Sequence, residues 1–149
     1  MKREFIELWL KTGIIRSRQR DVEKVKSMII SAEINAEVAR NVGLSDNSAT
    51  LIFREVYESI RQLGDAKWGL LGYEPSSHEI SMEALKELEP KEKVMLNKLD
   101  RFKKTRHDIN YRGFRATIAQ AEEIIEFWDK CGSEILRILK KEASCQLFT

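Results

Sequence analysis

Long stretches without a helix-breaking residue are the feature that most constrains this sequence. Its 149 residues include only two prolines and seven glycines, so few positions interrupt a helix. Within these stretches apolar residues recur at spacings of three and four, which is the period of an amphipathic helix. We find no alternation of apolar and polar residues of the kind that predicts strands, and no internal repeat. The sequence therefore predicts an all-α fold.

The pattern predicts four long helices and two shorter ones, joined by short connections. Short connections between long helices favour an up-and-down bundle of four to five helices with antiparallel neighbours. We expect Pro90 in the first turn of a helix, Gly113 at its end, and a capping box formed by Thr117 and Gln120. The predicted helices run from Glu4 to Ile15, from Asp21 to Gly43, from Ser48 to about Gly72, from His78 to Leu88, from Pro90 to Tyr111, and onward from Thr117.

Length, charge and cysteine content limit the class of protein. We predict a single domain over residues 1–149, with residues 1–20 as an N-terminal extension and residues 21–145 as the bundle. The net charge of +2 is too small to mark the whole chain as a nucleic-acid binder. Cys131 and Cys145 lie too far apart on a straight helix to form a disulfide. No set of metal ligands, signal peptide or long apolar run occurs, so we predict a cytoplasmic protein without a cofactor or a membrane association.

Residues suited to chemistry concentrate between Lys98 and Arg115. Seven lysines and arginines there are interleaved with aromatic residues, a mixture that can bind phosphate and stack on bases. A basic run alone is more often a solvated helix face, so the helical spacing matters. Arg106 and Asn110 fall in the same sector as the apolar residues of this helix, and His107 and Tyr111 flank that sector. We call Arg106, His107, Asn110 and Tyr111 the polar corner.

The arginine on the apolar side needs a partner, because a guanidinium cannot lose its charge. A carboxylate, a phosphate or a subunit interface could supply one. Glu55 and Glu58 on the preceding long helix are the first carboxylates to consider. An Arg106–Glu pair would only fix helix packing, whereas an unpaired Arg106 would suit a binding site. Helical spacing does not separate these alternatives.

The segment Arg106-His-Asp-Ile-Asn-Tyr111 resembles the motif of the HEPN family. That motif has an arginine, usually followed by a polar residue, and a histidine some four to six positions further on. Segments 31–39, 53–61 and 70–78 are similar in style to the family's first two helices and the loop after them. The resemblance covers residues 21 to 140.

The resemblance implies a helical bundle that binds RNA or nucleotide as a homodimer, with both copies of the motif helix facing one cleft. Many members of the family are metal-independent endoribonucleases, including toxins of toxin–antitoxin pairs. Others are partners of minimal nucleotidyltransferases. The alternative function that the resemblance implies is therefore a catalytically inactive module that docks a nucleotidyltransferase or another protein.

The motif can be placed on this chain in two ways. In the first, Arg106 begins the motif and Tyr111 stands where the ribonucleases have histidine. In the second, Arg101 is the arginine and His107 the histidine, which makes the arginine a solvent-facing residue. We favour the first placement because it accounts for an arginine on the apolar stripe.

The first placement assigns Arg106, His107 and Tyr111 as candidate catalytic residues. A phenol is a poor base at neutral pH, so the adjacent imidazole would have to act on the ribose 2′-hydroxyl while the arginine stabilises the charged phosphorane. His78 has no partner set in the sequence and is predicted to start a helix rather than to bind a ligand. The candidate binding residues are Asn110, Arg101, Lys104, Arg112 and Arg115.

Overall fold

A computed structural model describes residues 3–146 and is mostly helical. This confirms the predicted all-α class. Two 3₁₀ helices, His78–Glu87 and Lys93–Lys98, and one π-helical turn, Trp128–Gly132, complete the helical segments. No helix within residues 3–146 has the length and apolar character needed to cross a membrane. The α-helices are α1 (Arg3–Lys11), α2 (Val22–Arg40), α3 (Ala49–Leu71), α4 (Leu99–Arg112), α5 (Ile118–Phe127) and α6 (Ser133–Gln146).

Several helix ends lie where the sequence placed them. Asp21 caps α2 by accepting a hydrogen bond from the Lys24 backbone N–H at 3.0 Å. The predicted capping box of Thr117 and Gln120 is present at the start of α5. Gly113 ends α4 with φ of 70°, a left-handed conformation that costs glycine little. Local side-chain chemistry therefore determines these boundaries.

Two predicted helices are wrong in part. The first was expected to reach Ile15, but α1 ends at Lys11 and Ile15–Ser17 forms a short strand, β1. β1 pairs antiparallel with β2 (Tyr73–Pro75), a strand pair that the sequence pattern did not indicate. The second error concerns Pro90, which lies in an irregular segment before a 3₁₀ helix rather than in the first turn of a long helix. Three-residue strands are too short to produce a detectable alternation.

The central element is α3. It contacts α2, α4, α5, α6 and the His78–Glu87 helix, and 14 of its 23 residues are buried. Edge-to-face aromatic contacts attach α4 to this centre, because the Phe102 ring packs on Phe53 of α3 at 6.1 Å and on Phe127 of α5 at 5.4 Å. The helix that carries the polar corner is thus held against the core.

The N-terminal segment packs on α3 through a smaller apolar cluster. Trp9 contacts the buried Trp68 ring edge-on at 5.9 Å, and Ile15 and Ala84 are buried in the same cluster. The Trp68 indole N–H donates to the Ile80 carbonyl at 3.0 Å. Residues 3–17 therefore share a core with α3 and the His78–Glu87 helix.

A glycine in the middle of α3 allows the His78–Glu87 helix to approach closely. A Cβ atom at Gly64 would lie 2.2 Å from the Ser81 carbonyl oxygen, a backbone atom that cannot rotate away. This close contact brings the start of the His78–Glu87 helix, and with it His78, against α3.

Replacement of Gly64 by alanine should therefore destabilise the fold, although alanine is normally the better helix former. We expect the free energy of unfolding to fall by about 1–3 kcal/mol, because the backbones must separate. Urea denaturation followed by circular dichroism measures this change. Gly43→Ala is the matched control, since nothing lies within 4 Å of a Cβ there. Equal stability of both variants would contradict the proposed close approach.

Candidate functional site

The polar corner lies on α4 at the edge of the core. The Arg106 side chain is half-buried, while His107, Asn110 and Tyr111 are exposed. Ile109, between them in the sequence, is buried. The four residues therefore share one rim of the helix, and only the arginine extends into the protein.

The Arg106 guanidinium is held by an aromatic ring and an amide. Its central carbon lies 5.7 Å from the centre of the Tyr57 ring of α3, within cation–π range. In the amide orientation that its hydrogen bonds favour, Asn110 accepts from Arg106 Nε at 3.1 Å and from Nη2 at 3.2 Å. Neither contact neutralises the positive charge.

Arg106 forms no ion pair with Glu55 or Glu58, the partners in the alternative that the sequence left open. Glu55 is exposed, and Glu58 forms its ion pair with Arg61. Within residues 3–146 no carboxylate forms an ion pair with Arg106. Glu58 still acts on Arg106 through its longer-range field. The half-buried guanidinium is thus without a direct anionic partner in the described part of the chain.

A second arginine, which the sequence analysis missed, is more deeply buried. Arg61 is 9% exposed. Its Nε donates to Glu58 at 3.0 Å, its Nη1 donates to Asp65 at 2.6 Å, and the same Nη1 lies 2.7 Å from His78 Nδ1. We call Arg61, Glu58, Asp65 and His78 the Arg61 network. Carboxylates three residues before and four residues after an arginine on one helix are the sequence signal that could have revealed it.

The Arg61 network determines the hydrogen-bonding role of the His78 ring nitrogens. A guanidinium N–H only donates, so the Nδ1 atom at 2.7 Å must accept, and the ring proton of the neutral imidazole lies on Nε2. His78 also begins its 3₁₀ helix, as predicted, after the N-cap Ser77. The sequence did not predict that this histidine would contact a buried arginine.

Two pKa shifts describe the charge distribution near Arg106. Hydrogen bonds from Arg61 lower the pKa of Glu58 despite its partial burial. Burial raises the pKa of Tyr57 to about 12, although the nearby Arg106 and Arg61 oppose that change. Tyr57 is therefore a neutral phenol at physiological pH and presents its ring to Arg106. Glu58 remains an anion.

The exposed part of the polar corner consists of two rings in contact. The His107 and Tyr111 ring centres are 4.9 Å apart, tilted by 45°. The Tyr111 side chain is 72% exposed. Lys103, one turn before His107 on α4, is half-buried and paired with Glu79 at 2.9 Å. That ion pair joins α4 to the His78–Glu87 helix.

Most of the other predicted binding cations have intramolecular partners. Arg101 forms an ion pair with Glu123 of α5, and Arg112 lies 3.8 Å from Asp108. Arg115 donates to the Asn47 carbonyl at 3.1 Å. In the described chain Lys104 is exposed and has no such partner. The structure therefore brings together Arg106, His107, Asn110 and Tyr111 but leaves the remaining cations spread around them.

Replacement of Glu58 by glutamine should weaken the acid sensitivity of folding. In the folded protein the pKa of Glu58 is lowered from its ordinary value of 4.5, so the folded chain binds fewer protons than the unfolded chain in acid. The stability that this group contributes is complete above about pH 5 and is lost as the pH falls through the lowered pKa.

The measurement is the free energy of unfolding in urea between about pH 6 and about pH 3. Glu55→Gln, on the exposed part of the same helix, is the control and should retain the wild-type slope. An unchanged slope in Glu58→Gln would show that Arg61 does not hold this carboxylate in its charged form.

Both cysteines are free, Cys131 buried and Cys145 exposed. Among the described residues there is no group of three or more His, Cys, Asp or Glu side chains that could hold a metal ion.

Comparisons with protein-family models, with curated proteins and with solved structures found no match for this chain. The geometry of the polar corner is therefore the basis for an argument about function.

Proposed function

We propose that this chain is a HEPN-type protein that binds RNA or nucleotide as a homodimer, with Arg106 as the phosphate-binding group. The observation that carries the proposal is the half-buried Arg106 guanidinium, which has no ion pair among the described residues. The Tyr57 ring and the Asn110 amide orient it without neutralising it.

An arginine of this kind is well suited to bind an anion. Its charge is permanent, and partial burial removes some of the water that would otherwise solvate it. A phosphate would restore the missing counter-charge through charge-assisted hydrogen bonds, which are about twice as strong as neutral ones. The side chain is already held in place, so little conformational entropy is lost on binding.

The His107 and Tyr111 rings beside Arg106 suit the remainder of a nucleotide. Tyr111 offers an exposed ring face, and bases stack on such faces whatever their sequence. Lys104 is exposed on the same helix and adds a cation for the backbone. The HEPN resemblance further implies that two copies place their polar corners in a common cleft.

Metal-independent RNA cleavage is a second candidate activity, and the position of His107 favours it. Its imidazole is exposed, is next to Arg106 in the sequence, and contacts the Tyr111 ring at a tilt. In that reaction the imidazole would take the proton of the ribose 2′-hydroxyl as its oxygen attacks the adjacent phosphorus, and Arg106 would stabilise the negative charge on the phosphorane. The bond from phosphorus to the 5′-oxygen would then break, and the imidazolium would return its proton to that oxygen, which leaves a 2′,3′-cyclic phosphate and a 5′-hydroxyl.

A docking module is the alternative from a different functional class. Three apolar residues four positions apart on α2, Ile30, Ile34 and Val38, are each more than half exposed. Such a stripe fits a protein partner, for example a nucleotidyltransferase. Recovery of a stoichiometric protein partner without RNA, combined with no RNA binding by the purified chain, would favour this alternative.

Replacement of Arg106 by alanine should weaken binding of a short single-stranded RNA by about tenfold or more at low salt. Fluorescence anisotropy with a labelled oligonucleotide measures the affinity, and circular dichroism checks the fold. Arg137→Ala removes an exposed arginine on α6 that pairs with Glu134, and it should bind as the wild type does.

The second motif placement makes the opposite prediction, because there Arg101→Ala is the damaging change. Arg101 is exposed and paired with Glu123, so we expect its loss to weaken binding less than the loss of Arg106. RNA affinity that is the same in Arg106→Ala and Arg137→Ala would refute the proposed role of Arg106.

Incubation of labelled RNA with the protein and excess EDTA tests cleavage. For a nuclease of the proposed type, the products should form despite the chelator. His107→Ala should abolish product formation while RNA affinity falls by less than about threefold. Cleavage that stops when EDTA is added, or that persists in His107→Ala, would exclude the mechanism described above.

A further inference from the structure

A cleft next to the Arg61 network has no role in the proposed function. It lies where the start of α2, the second half of α3 and the strand β2 meet, and His78 is part of its lining. Its volume is about 380 Å³, within the range of small-molecule sites in proteins. We call it the His78 cleft.

The walls of the His78 cleft combine apolar surface with an aromatic ring. Val25 and Met28 of α2 and the backbone at Gly69 of α3 supply the apolar part, and Tyr73 of β2 supplies the ring. The two helices are close here, because a Cβ at Gly69 would lie 2.9 Å from the Val25 side chain. A flat, weakly polar group would find van der Waals contact on these walls.

The hydrogen-bonding groups of the cleft include both acceptors and donors. Asp21, Asp65 and Glu74 supply carboxylates, and each already binds a backbone N–H or an arginine of this chain. A carboxylate has about four acceptor sites, so further bonds remain available. Lys24 supplies an ammonium group, and His78 supplies a ring N–H on Nε2, because its Nδ1 accepts from Arg61.

This combination selects against a phosphate and in favour of a heterocycle. The three carboxylates outnumber the two cations of the lining, Arg18 and Lys24, and Arg18 already pairs with Glu74. The cleft therefore offers little free positive charge to a multiply charged anion. A nucleobase, in contrast, has flat faces that suit the apolar walls and an edge that carries N–H donors as well as oxygen and nitrogen acceptors. We propose that the His78 cleft binds a nucleobase, either an unpaired base of an RNA or the base of a free nucleotide.

A chain of contacts connects the cleft to the polar corner. Asp65 and His78 line the cleft and bind Arg61, and Arg61 binds Glu58. Glu58 is next to Tyr57, whose ring holds Arg106. For the RNA-bound case the inference rests on the proposed function, since it needs the RNA that Arg106 is proposed to bind. Binding of a free nucleotide does not depend on Arg106.

The first experiment separates recognition of a base from recognition of a phosphate. The wild-type protein is titrated with AMP, GMP, CMP and UMP, and separately with ribose 5-phosphate, and amide shifts are followed by NMR. At least one nucleotide should saturate and shift the amides of Lys24 and Met28, whereas ribose 5-phosphate should not. Equal shifts of the Lys24 and Met28 amides with ribose 5-phosphate, or no saturation of these shifts with any nucleotide, would overturn the inference.

Variants then locate the ligand. Met28→Trp should fill the cleft and lower nucleotide affinity by about tenfold or more. Lys24→Ala changes an exposed residue, so it should leave the fold intact and lower the affinity by about threefold or more. Lys91→Ala removes an equally exposed lysine outside the cleft lining and serves as the control. If the two cleft variants bind as Lys91→Ala does, the site is elsewhere.

The same variants show whether this inference or the proposed function has failed. In one outcome, Arg106→Ala weakens RNA binding, the free nucleotides do not bind, and the cleft variants retain RNA affinity. Only the inference about the His78 cleft is then wrong. If RNA binding is insensitive to Arg106 but a nucleotide binds and Met28→Trp abolishes this, the cleft takes a free nucleotide and only the RNA proposal is wrong.

Discussion

The burial of α3 on almost all sides is the constraint on which the rest of this structure depends. A helix that contacts four other α-helices and a 3₁₀ helix must offer apolar surface around most of its circumference. Ala66 and Trp68, both fully buried, lie on nearly opposite sides of the helix because they are two positions apart. Where the His78–Glu87 helix lies against α3, only the missing side chain of Gly64 allows the two backbones to approach. The positions of the neighbouring elements follow from how each packs on this one helix.

Polar groups on such a helix need hydrogen-bond or ion-pair partners within the protein. This requirement explains the contacts in the candidate site. Arg61 is buried and is stabilised by Glu58, Asp65 and His78. Removal of one partner from such a set is costly, because it leaves a buried charge unmatched. Arg106 differs because it is only half-buried and contacts the Tyr57 ring instead of a carboxylate. Arg61 therefore has a structural role, whereas Arg106, on the same face of the molecule, has the proposed binding role.

Much of the fold could be predicted because helix periodicity and capping are local properties. The capping box at Thr117 and the left-handed end of α4 at Gly113 depend on residues within one turn. The strand pair could not be predicted in this way. Its three-residue strands are separated by more than fifty positions, and they are neighbours only because of how the intervening helices α2 and α3 pack. The irregular segment around Pro90 likewise depends on packing rather than on local propensity.

The sequence by itself determined the helical class and the grouping of Arg106, His107, Asn110 and Tyr111 on one rim of α4, because spacing on a helix decides which side chains are neighbours. Only the tertiary structure decided the partners of these residues. Glu58 lies on α3 within reach of both Arg61 and the field of Arg106, and it pairs with Arg61, which is three residues away on the same helix. Contacts between helices depend on how the helices pack against one another, and no spacing within a single helix contains that information.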